Sequence, residues 1–276
     1  MTGFAVLTAV PYSGIRQRPQ HFVDYFSRLG YKTIYINLYG PNDMDEDAQG
    51  SIDHALREFA AGGSVDVSYA RTVNANLLVF DGIPVARHRS DSLEYLLQAI
   101  QREFGHGDLV FIATYPDWLD HVEKIESRFM LVYDCLDDWE EFVRDLGVGK
   151  SIVVHKERKL ASIADLVIVS AKKLFVKMQR YSDKIAYLPN GVTAEDYRLE
   201  APPPIEYRDI PEPRVFFMGA LHGWVDTELI AYLATRRPQY SFVIVGPIAD
   251  NIERPENHNI HYLGKKRYSE LPAYLC

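Results

Sequence analysis

Seven short apolar runs, rich in β-branched and aromatic residues, recur along the first 190 residues of this 276-residue chain. Continuous apolar runs of this length are typical of strands that are buried on both faces of a sheet. Helical patterns separate several of them: one begins at Pro19 and stops at Gly30, and another stops at Gly105. This alternation predicts an α/β fold around a mainly parallel sheet. The runs are FAVLTAV, TIYINL, NLLVF, DLVFIA, FMLVYD, DLVIVS and KIAYL.

A proline-rich segment, residues 199–214, divides the predicted elements into two groups. It carries five prolines and several charges, which is typical of an interdomain linker. We therefore predict an N-terminal Rossmann-like domain in residues 1–198 and a second domain in residues 215–276. The second group contains three predicted strands, which is the first half of a doubly wound nucleotide-binding domain. We expect this second domain to be incomplete at Cys276, whether the chain was shortened by design, cut by a protease or ended by a natural stop.

Composition excludes several classes of protein. The net charge of -8 argues against general affinity for nucleic acid. No apolar stretch approaches the roughly 18 residues of a membrane-spanning helix. The two cysteines, Cys135 and Cys276, provide neither a disulfide framework nor a metal-binding spacing. We therefore expect a protein of the reducing cytoplasm.

The charge is unevenly distributed. Residues 150–184 carry nine Lys or Arg side chains against three acidic ones, so one face of the protein is predicted to be basic. One interpretation is that this face contacts an anionic membrane surface, since each basic residue near anionic lipid contributes about 1 kcal/mol. The alternative is an ordinary solvated helix face. The residues proposed to contact the membrane are Lys172, Lys173, Lys177 and Arg180.

Ligands of open α/β sheets lie beyond the carboxyl ends of the strands, so the loops after each strand are the candidate sites. After the first strand, Gly14 allows close backbone approach, Arg16 and Arg18 are candidate anion binders, and His21 lies in the first helical turn. The loop is not G-x-G-x-x-G, which weakens a dinucleotide-binding prediction. A helix cap with solvated arginines is the alternative. Asn190, in an Asn-Gly turn, completes this predicted acceptor site.

An acidic turn, residues 134–141, follows the fifth apolar run. A carboxylate beside Trp139 and other acids is expected to have a raised pKa, which suits a general base that deprotonates a hydroxyl. Asp137 and Asp138 are the candidates. Asp134, still on the strand, is expected to be structural, and helix capping is the alternative for the whole turn.

In the second domain, three glycines stand at successive strand ends and allow a flat or phosphorylated ligand to approach the backbone. His222 and a Lys-Lys-Arg cluster add positive charge. Plain turn glycines are the alternative. The predicted donor-binding residues are Gly219, His222, Gly246, Lys266 and Arg267.

Six segments in order resemble the GT-B nucleotide-sugar glycosyltransferases, in particular the bacterial teichuronic acid glycosyltransferases of cell-envelope polysaccharide biosynthesis. The resemblance covers nearly the whole chain, and six segments in the family's order are fairly specific. The segments are RQRPQHFVDYFSRLGYKTIYIN, VYDCLDDW, ADLVIVSAKKL, IAYLPNGVTAEDY, FMGALHGWVDTELI and IHYLGKKRYSELPAYL.

The resemblance implies two Rossmann-like domains, of which the second binds a nucleoside diphosphate sugar and the first binds the acceptor, with no bound metal or other cofactor. Enzymes of this family continue with further strands and with a helix whose N-terminus holds the donor diphosphate. Neither occurs before Cys276. The resemblance therefore implies a C-terminally truncated chain that is inactive without the missing part.

Together these observations predict a hexosyltransferase that moves a sugar from a nucleoside diphosphate sugar to a hydroxyl of a lipid-linked or cell-surface glycan. Asp137 or Asp138 would be the base if the reaction inverts, while His222 and the basic cluster would stabilise the leaving group. Its location would be cytoplasmic, at the inner face of the membrane. Two alternatives stay open: a truncated form that binds a sugar or a partner without catalysis, and a GT-B-like nucleotide-sugar epimerase.

Overall fold

The computed structural model describes residues 3–105, 109–143, 148–197 and 202–275. The chain forms two compact units, Met1–Asn190 and Gly191–Cys276. Each is described by itself below.

The first unit alternates strands and helices along the chain, as predicted. Its strands are β1 (Gly3–Thr8), β2 (Lys32–Asn37), β3 (Asn42–Met44), β4 (Ala70–Asn74), β5 (Leu77–Phe80), β6 (Ile83–Val85), β7 (Leu109–Ala113), β8 (Met130–Cys135), β9 (Leu166–Val169) and β10 (Ile185–Tyr187). Its helices are α1 (Arg18–Arg28), α2 (Ala48–Ala60), α3 (Arg89–Phe104), α4 (Leu119–Val122), α5 (Trp139–Phe142), α6 (Val148–Ile163) and α7 (Lys172–Met178), with a 3-10 turn at Pro116–Trp118.

Eight of these strands form one twisted sheet in the order β10-β9-β8-β7-β1-β2-β5-β4. All neighbours are parallel except β4, which pairs antiparallel with β5 at one edge. Strands β3 and β6 form a separate parallel pair. The strand order reverses between β1 and β7, so the carboxyl ends of these two strands flank the position where ligands bind in doubly wound sheets.

Helices cover both faces of this sheet. On one face, α3 places Leu93, Leu96, Leu97 and Ile100 at helical spacing, and all four are buried against the strands together with side chains from α2, α4, α6 and α7. On the other face, Val23 of α1 packs against side chains of the central strands. The predicted doubly wound α/β architecture is therefore confirmed for this unit.

The second unit has a parallel three-stranded sheet in the order β11-β12-β13. Its elements are β11 (Arg214–Met218), α8 (Thr227–Arg236), β12 (Ser241–Val245) and β13 (Ile260–Gly264), with 3-10 helices at Ala194–Tyr197, Ile205–Asp209 and Tyr268–Leu275. The central strand β12 is buried along its whole length. Three parallel strands with a helix between the first two match the predicted elements.

The structure divides the units at Asn190, before the predicted linker. Of that linker, residues 199–201 lie outside the described residues. The remainder packs within the second unit, because Tyr207 and Ile210 are 4% and 5% exposed and join the core beside Val243 and Tyr274. Arg214 also donates to the main-chain oxygens of Ile210 and Tyr207, so this segment is held by side-chain contacts despite its prolines.

Candidate functional site

The carboxyl edge of the first sheet collects the loops that follow β1, β2, β7, β8 and β10. Arg18, after β1, is nearly buried there and makes three hydrogen bonds. Its Nε donates to Asp134 Oδ2 at 3.0 Å, and its Nη1 donates to Leu188 O at 2.6 Å and Asn190 Oδ1 at 3.3 Å. The Arg18 and Asp134 side chains are 7% and 0% exposed. The structure thus brings Arg18 and Asn190 together, but the guanidinium already has a buried carboxylate partner.

Burial raises the pKa of Asp134 to about 6, although the charge of Arg18 opposes the shift. This carboxylate lies at the end of β8 with both faces of the sheet covered around it. It accepts from the guanidinium that also holds the end of β10, and its structural role stays a prediction.

The other residues of the β1 loop are also engaged. Arg16 forms an ion pair with Asp24 on α1, and the Tyr12 hydroxyl donates to the second oxygen of the same carboxylate at 2.7 Å. Gly14 N donates to Pro11 O at 3.0 Å, and a Cβ on Gly14 would lie 3.0 Å from that oxygen. His21 is half-buried on α1. The loop is therefore a tight turn that is fixed by Asp24.

The two candidate bases in the acidic turn have opposite environments. Asp138 accepts from Lys177 Nζ at 2.8 Å and pairs with Lys173 at 3.1 Å. Burial favours its neutral form, but the two lysines outweigh it and lower the pKa of this carboxyl. The predicted raised pKa is therefore wrong for Asp138.

Asp137 has no such partner among the described residues. Its side chain is exposed, yet the surrounding protein desolvates the carboxyl and raises its pKa. Its main-chain oxygen accepts from Cys135 Sγ at 3.6 Å, which fixes the backbone of the turn. Of the two candidates, Asp137 has the raised pKa that a general base requires.

Helix α7 supplies the lysines that neutralise the acidic turn. Lys177 bridges Asp138 and the fully buried Glu157, 2.8 Å from each carboxylate. Leu174 and Met178 of the same helix are buried in the core. Of the four basic residues predicted to contact a membrane, Lys173 and Lys177 therefore carry ion pairs, while Lys172 and Arg180 are exposed.

A cleft of about 700 Å³, which was not predicted from the sequence, opens beyond the carboxyl ends of β2 and β7. Its wall is a chain of polar contacts. The Tyr39 hydroxyl donates to Asp117 Oδ2 at 2.7 Å, and Lys156 Nζ donates to Asp117 Oδ1 at 2.8 Å and to Asp120 Oδ2 at 2.6 Å. The acids after β7 were the only signal in the sequence, because Tyr39 and Lys156 come from distant parts of the chain.

In the second unit, the three glycines at the strand ends have positive φ. Gly219, Gly246 and Gly264 have φ of 157°, 152° and 67°. A Cβ on Gly246 would lie 1.9 Å from Gly219 O, so the loops after β11 and β12 touch through their main chains. Only glycine fits at position 246.

His222 and Trp224, after β11, form a stacked aromatic pair. Their ring centroids are 3.9 Å apart with an interplanar angle of 14°, and Trp224 is 61% exposed. Gly223 N donates to His222 Nδ1 at 2.9 Å, so Nδ1 is an acceptor and Nε2 carries the ring hydrogen. The pair offers a flat surface and one N–H donor beside the glycine turns.

The basic cluster after β13 has partners of its own. Lys266 Nζ donates to Glu206 Oε1 at 2.7 Å, and the Tyr274 hydroxyl donates to the same oxygen at 2.9 Å. The bond from Lys266 is the main reason that the pKa of Glu206 falls to about 2. Arg267 pairs with Glu270 on the surface. Both predicted donor-binding cations are therefore in ion pairs.

Among the residues that the structure describes, no group of three His, Cys, Asp or Glu side chains is placed to hold a metal ion. No helix within the described ranges is long and apolar enough to cross a membrane.

Comparison by structure places the chain among known folds. The match to sucrose-phosphate synthase from Thermosynechococcus elongatus covers 99% of this chain and 73% of the synthase, at a TM-score of 0.64 and 10% identity. The match to a UDP-forming α,α-trehalose-phosphate synthase from Burkholderia xenovorans covers 98% of this chain and 76% of that synthase, at a TM-score of 0.56 and 10% identity. The chain has the GT-B fold.

A third structure with this fold is WaaG, a glycosyltransferase involved in lipopolysaccharide biosynthesis. The match covers 98% of this chain and 72% of the WaaG chain, at a TM-score of 0.50 and 12% identity. By sequence, no protein-family model and no curated protein matches. At 10–12% identity the likeness defines the fold. The fold class predicted from the sequence is thereby confirmed.

Proposed function

We propose that this protein is a glycosyltransferase that moves a hexosyl group from a nucleoside diphosphate sugar to a hydroxyl of a glycan acceptor. The observation that carries the proposal is the match of 98–99% of the chain to three GT-B structures, each of which is named as a synthase or transferase of sugars. The polar cleft and the acidic turn at the switch-point edge of the first sheet support it, because this is where doubly wound sheets bind ligands.

In this proposal the second unit binds the donor. The loops after β11 and β12 bring Gly219 and Gly246 together, so a flat nucleotide can approach their main chains. His222 donates its Nε2 hydrogen to the donor or to the leaving diphosphate, and the stacked Trp224 holds the imidazole in place. Lys266 does not contact phosphate in this proposal. Its ion pair with Glu206 stabilises the loop that follows β13.

The first unit binds the acceptor and provides the base if the reaction inverts. The acceptor oxygen forms a bond to the anomeric carbon while the bond from that carbon to the diphosphate oxygen breaks. The hydroxyl proton passes to Asp137, and the nucleoside diphosphate leaves with the electron pair of the broken bond. Asp137 is preferred to Asp138 because its pKa is raised and no lysine pairs with it among the described residues.

The acceptor is proposed to be a lipid-linked or cell-surface glycan of a bacterial cell envelope, as in teichuronic acid synthesis. This places the enzyme in the cytoplasm, at the inner face of the membrane. Lys172 and Arg180 are the exposed basic residues that support surface contact. Because Leu174 and Met178 are buried, the contact would be electrostatic and sensitive to salt.

A second candidate function is a sugar-binding protein without catalysis. The observation in its favour is that Arg18, Asp138 and Lys266, all predicted to contact substrate, have internal ion partners. A nucleotide-sugar epimerase is the third candidate and requires no acceptor.

One assay separates the three candidates. The full-length protein, with any sequence that follows Cys276, is incubated with a panel of nucleotide sugars, with and without glycan acceptors, and products are followed by ³¹P NMR and mass spectrometry. Transfer predicts nucleoside diphosphate and a new glycoside only when acceptor is present. An epimerised donor without acceptor favours the epimerase, and thermal stabilisation by a sugar without turnover favours the binding protein.

A further inference from the structure

The cleft beyond β2 and β7 lies next to the switch point of the first sheet, since β1 is between these two strands. Its volume of about 700 Å³ is in the range of small-ligand sites and is large enough for one or two sugar rings. Leu38 and Leu93 are its aliphatic lining residues, and the other lining residues each carry a polar group. Position, size and lining together make it a candidate binding site of the first unit.

The polar wall is held rigid by its own hydrogen bonds. Both oxygens of Asp117 are engaged, one with the Tyr39 hydroxyl and the other with Lys156 Nζ, and Lys156 is fixed a second time by Asp120. Carboxylates and an ammonium group therefore alternate along the wall. A sugar hydroxyl both donates and accepts, so neighbouring hydroxyls of a ring match this alternation.

The charges of the cleft balance. Lys124 pairs with Glu94, which lies outside the lining, and Lys156 is shared between two aspartates, so each ammonium already has a carboxylate partner. Burial lowers the pKa of His121, which keeps this imidazole neutral. The carboxylates have lysine partners as well, including Glu123 with Lys159 at 2.6 Å, so a dianionic ligand would meet no surplus of positive charge. The charged lining residues are Arg89, Lys124 and Lys156, and Asp117, Asp120 and Glu123.

We infer that this cleft binds an uncharged, hydroxyl-rich sugar ring and discriminates against phosphorylated sugars. As the assignment of an acceptor subsite, the inference rests on the proposed function, and it deepens that function by naming the acceptor class. Tyr39, Asp117 and Lys156 are the binding residues that orient the ring hydroxyls.

The test is a binding titration with the full chain and no nucleotide sugar. The probes are the methyl glycosides of glucose, galactose, mannose and N-acetylglucosamine, with glucose 6-phosphate as the charged probe. Binding is followed by saturation-transfer NMR up to about 50 mM, which covers the weak end of small-ligand affinity. At least one neutral glycoside is expected to bind, and glucose 6-phosphate is expected to bind at least about fivefold more weakly than the best of them.

Three variants locate the binding. Ser90→Trp places a large ring at the exposed rim of the cleft and is expected to abolish glycoside binding. Ser162→Trp, an exposed serine of α6 outside the cleft lining, is the matched control and is expected to bind as the wild type does. Asp120→Asn removes one negative charge and is expected to narrow or reverse the preference against glucose 6-phosphate.

The inference is overturned if no neutral glycoside binds, if glucose 6-phosphate binds more tightly than all of them, or if Ser90→Trp and Ser162→Trp bind alike. These outcomes are distinct from failure of the proposed function. Glycoside binding without turnover of any nucleotide sugar would contradict the transferase alone. Turnover that requires a phosphorylated acceptor, with no binding of neutral glycosides, would contradict this inference alone.

Discussion

The carboxyl edges of the two sheets are stabilised by different kinds of interaction. In the first unit, the loops after β1 and β8 are fixed by side-chain ion pairs, of which Arg18 with Asp134 and Lys177 with Asp138 are the most enclosed. In the second unit, the loops after β11 and β12 meet through the main chains of Gly219 and Gly246. A charge network can be read only from three-dimensional contacts, whereas a glycine turn is visible in the sequence. The two edges are therefore expected to respond differently to substitution.

The largest loss of stability is expected for Arg18→Ala. It leaves Asp134 buried without its charge partner and frees the end of β10, which costs about 3–5 kcal/mol in comparable buried pairs. Arg28→Ala, an exposed arginine at the end of the same helix, is the control and is expected to change the free energy of unfolding by less than about 0.5 kcal/mol. Urea unfolding of both variants at pH 7 measures the difference.

The same variant has a pH signature. In the wild type the pKa of Asp134 is already raised to about 6, and loss of Arg18 raises it further because the opposing charge is gone. A raised carboxyl pKa favours the folded state as pH falls, since the folded form then binds the extra proton. The difference in unfolding free energy between the wild type and Arg18→Ala is therefore expected to shrink as the pH falls from 7 to 5. A difference that is constant with pH would mean that the ion pair contributes nothing.

The second edge is tested by Gly246→Ala. The added Cβ would meet Gly219 O at 1.9 Å, and φ of 152° is unfavourable for alanine. A loss of about 3 kcal/mol is expected from the backbone shift. Gly223→Ala is the matched control, because nothing lies within 4 Å of its Cβ position. Equal unfolding midpoints for the two variants would show that the close approach is not required.

The fold was largely predictable from the sequence. All seven apolar runs of the first unit form strands of its sheet, because strands buried on both faces must be continuously apolar. Strands β3, β4 and β6 were not predicted, since β3 and β6 have three residues each and β4 is a polar edge strand. The proline-rich segment contains two buried side chains, Tyr207 and Ile210, which its composition does not reveal.

The site was predictable only in part. The three glycine turns were predictable because a φ between +60° and +160° strongly favours glycine, so the sequence has a glycine at each of these turns. The ion pairs were not found, because Lys177 neutralises Asp138 from a helix that is remote in the chain. The cleft was missed for the same reason, since Tyr39, Asp117 and Lys156 converge only in the folded unit.

The smallest expected effect concerns the ion pair of Glu206 and Lys266 in the second unit. The pKa of Glu206 is lowered to about 2, so its stabilising contribution is present above its usual pKa near 4.5 and is lost as pH falls toward 2. The side chains are 31% and 19% exposed, and solvent screening limits the contribution to less than about 1 kcal/mol. Glu206→Gln is expected to be less stable than the wild type at pH 6, with the gap closing toward pH 3. A gap that widens in acid would contradict the assignment.

The most direct test of the proposed chemistry is the rate of sugar transfer by the wild type, Asp137→Asn and Asp138→Asn in one assay. The two substitutions are chemically identical and adjacent, but only Asp137 combines a raised pKa with no ion partner among the described residues. Loss of a general base costs at least about a hundredfold in kcat. The account predicts that loss for Asp137→Asn and a much smaller change for Asp138→Asn, with both variants folded by circular dichroism. Wild-type turnover in Asp137→Asn, or an equal fall in both variants, would contradict it.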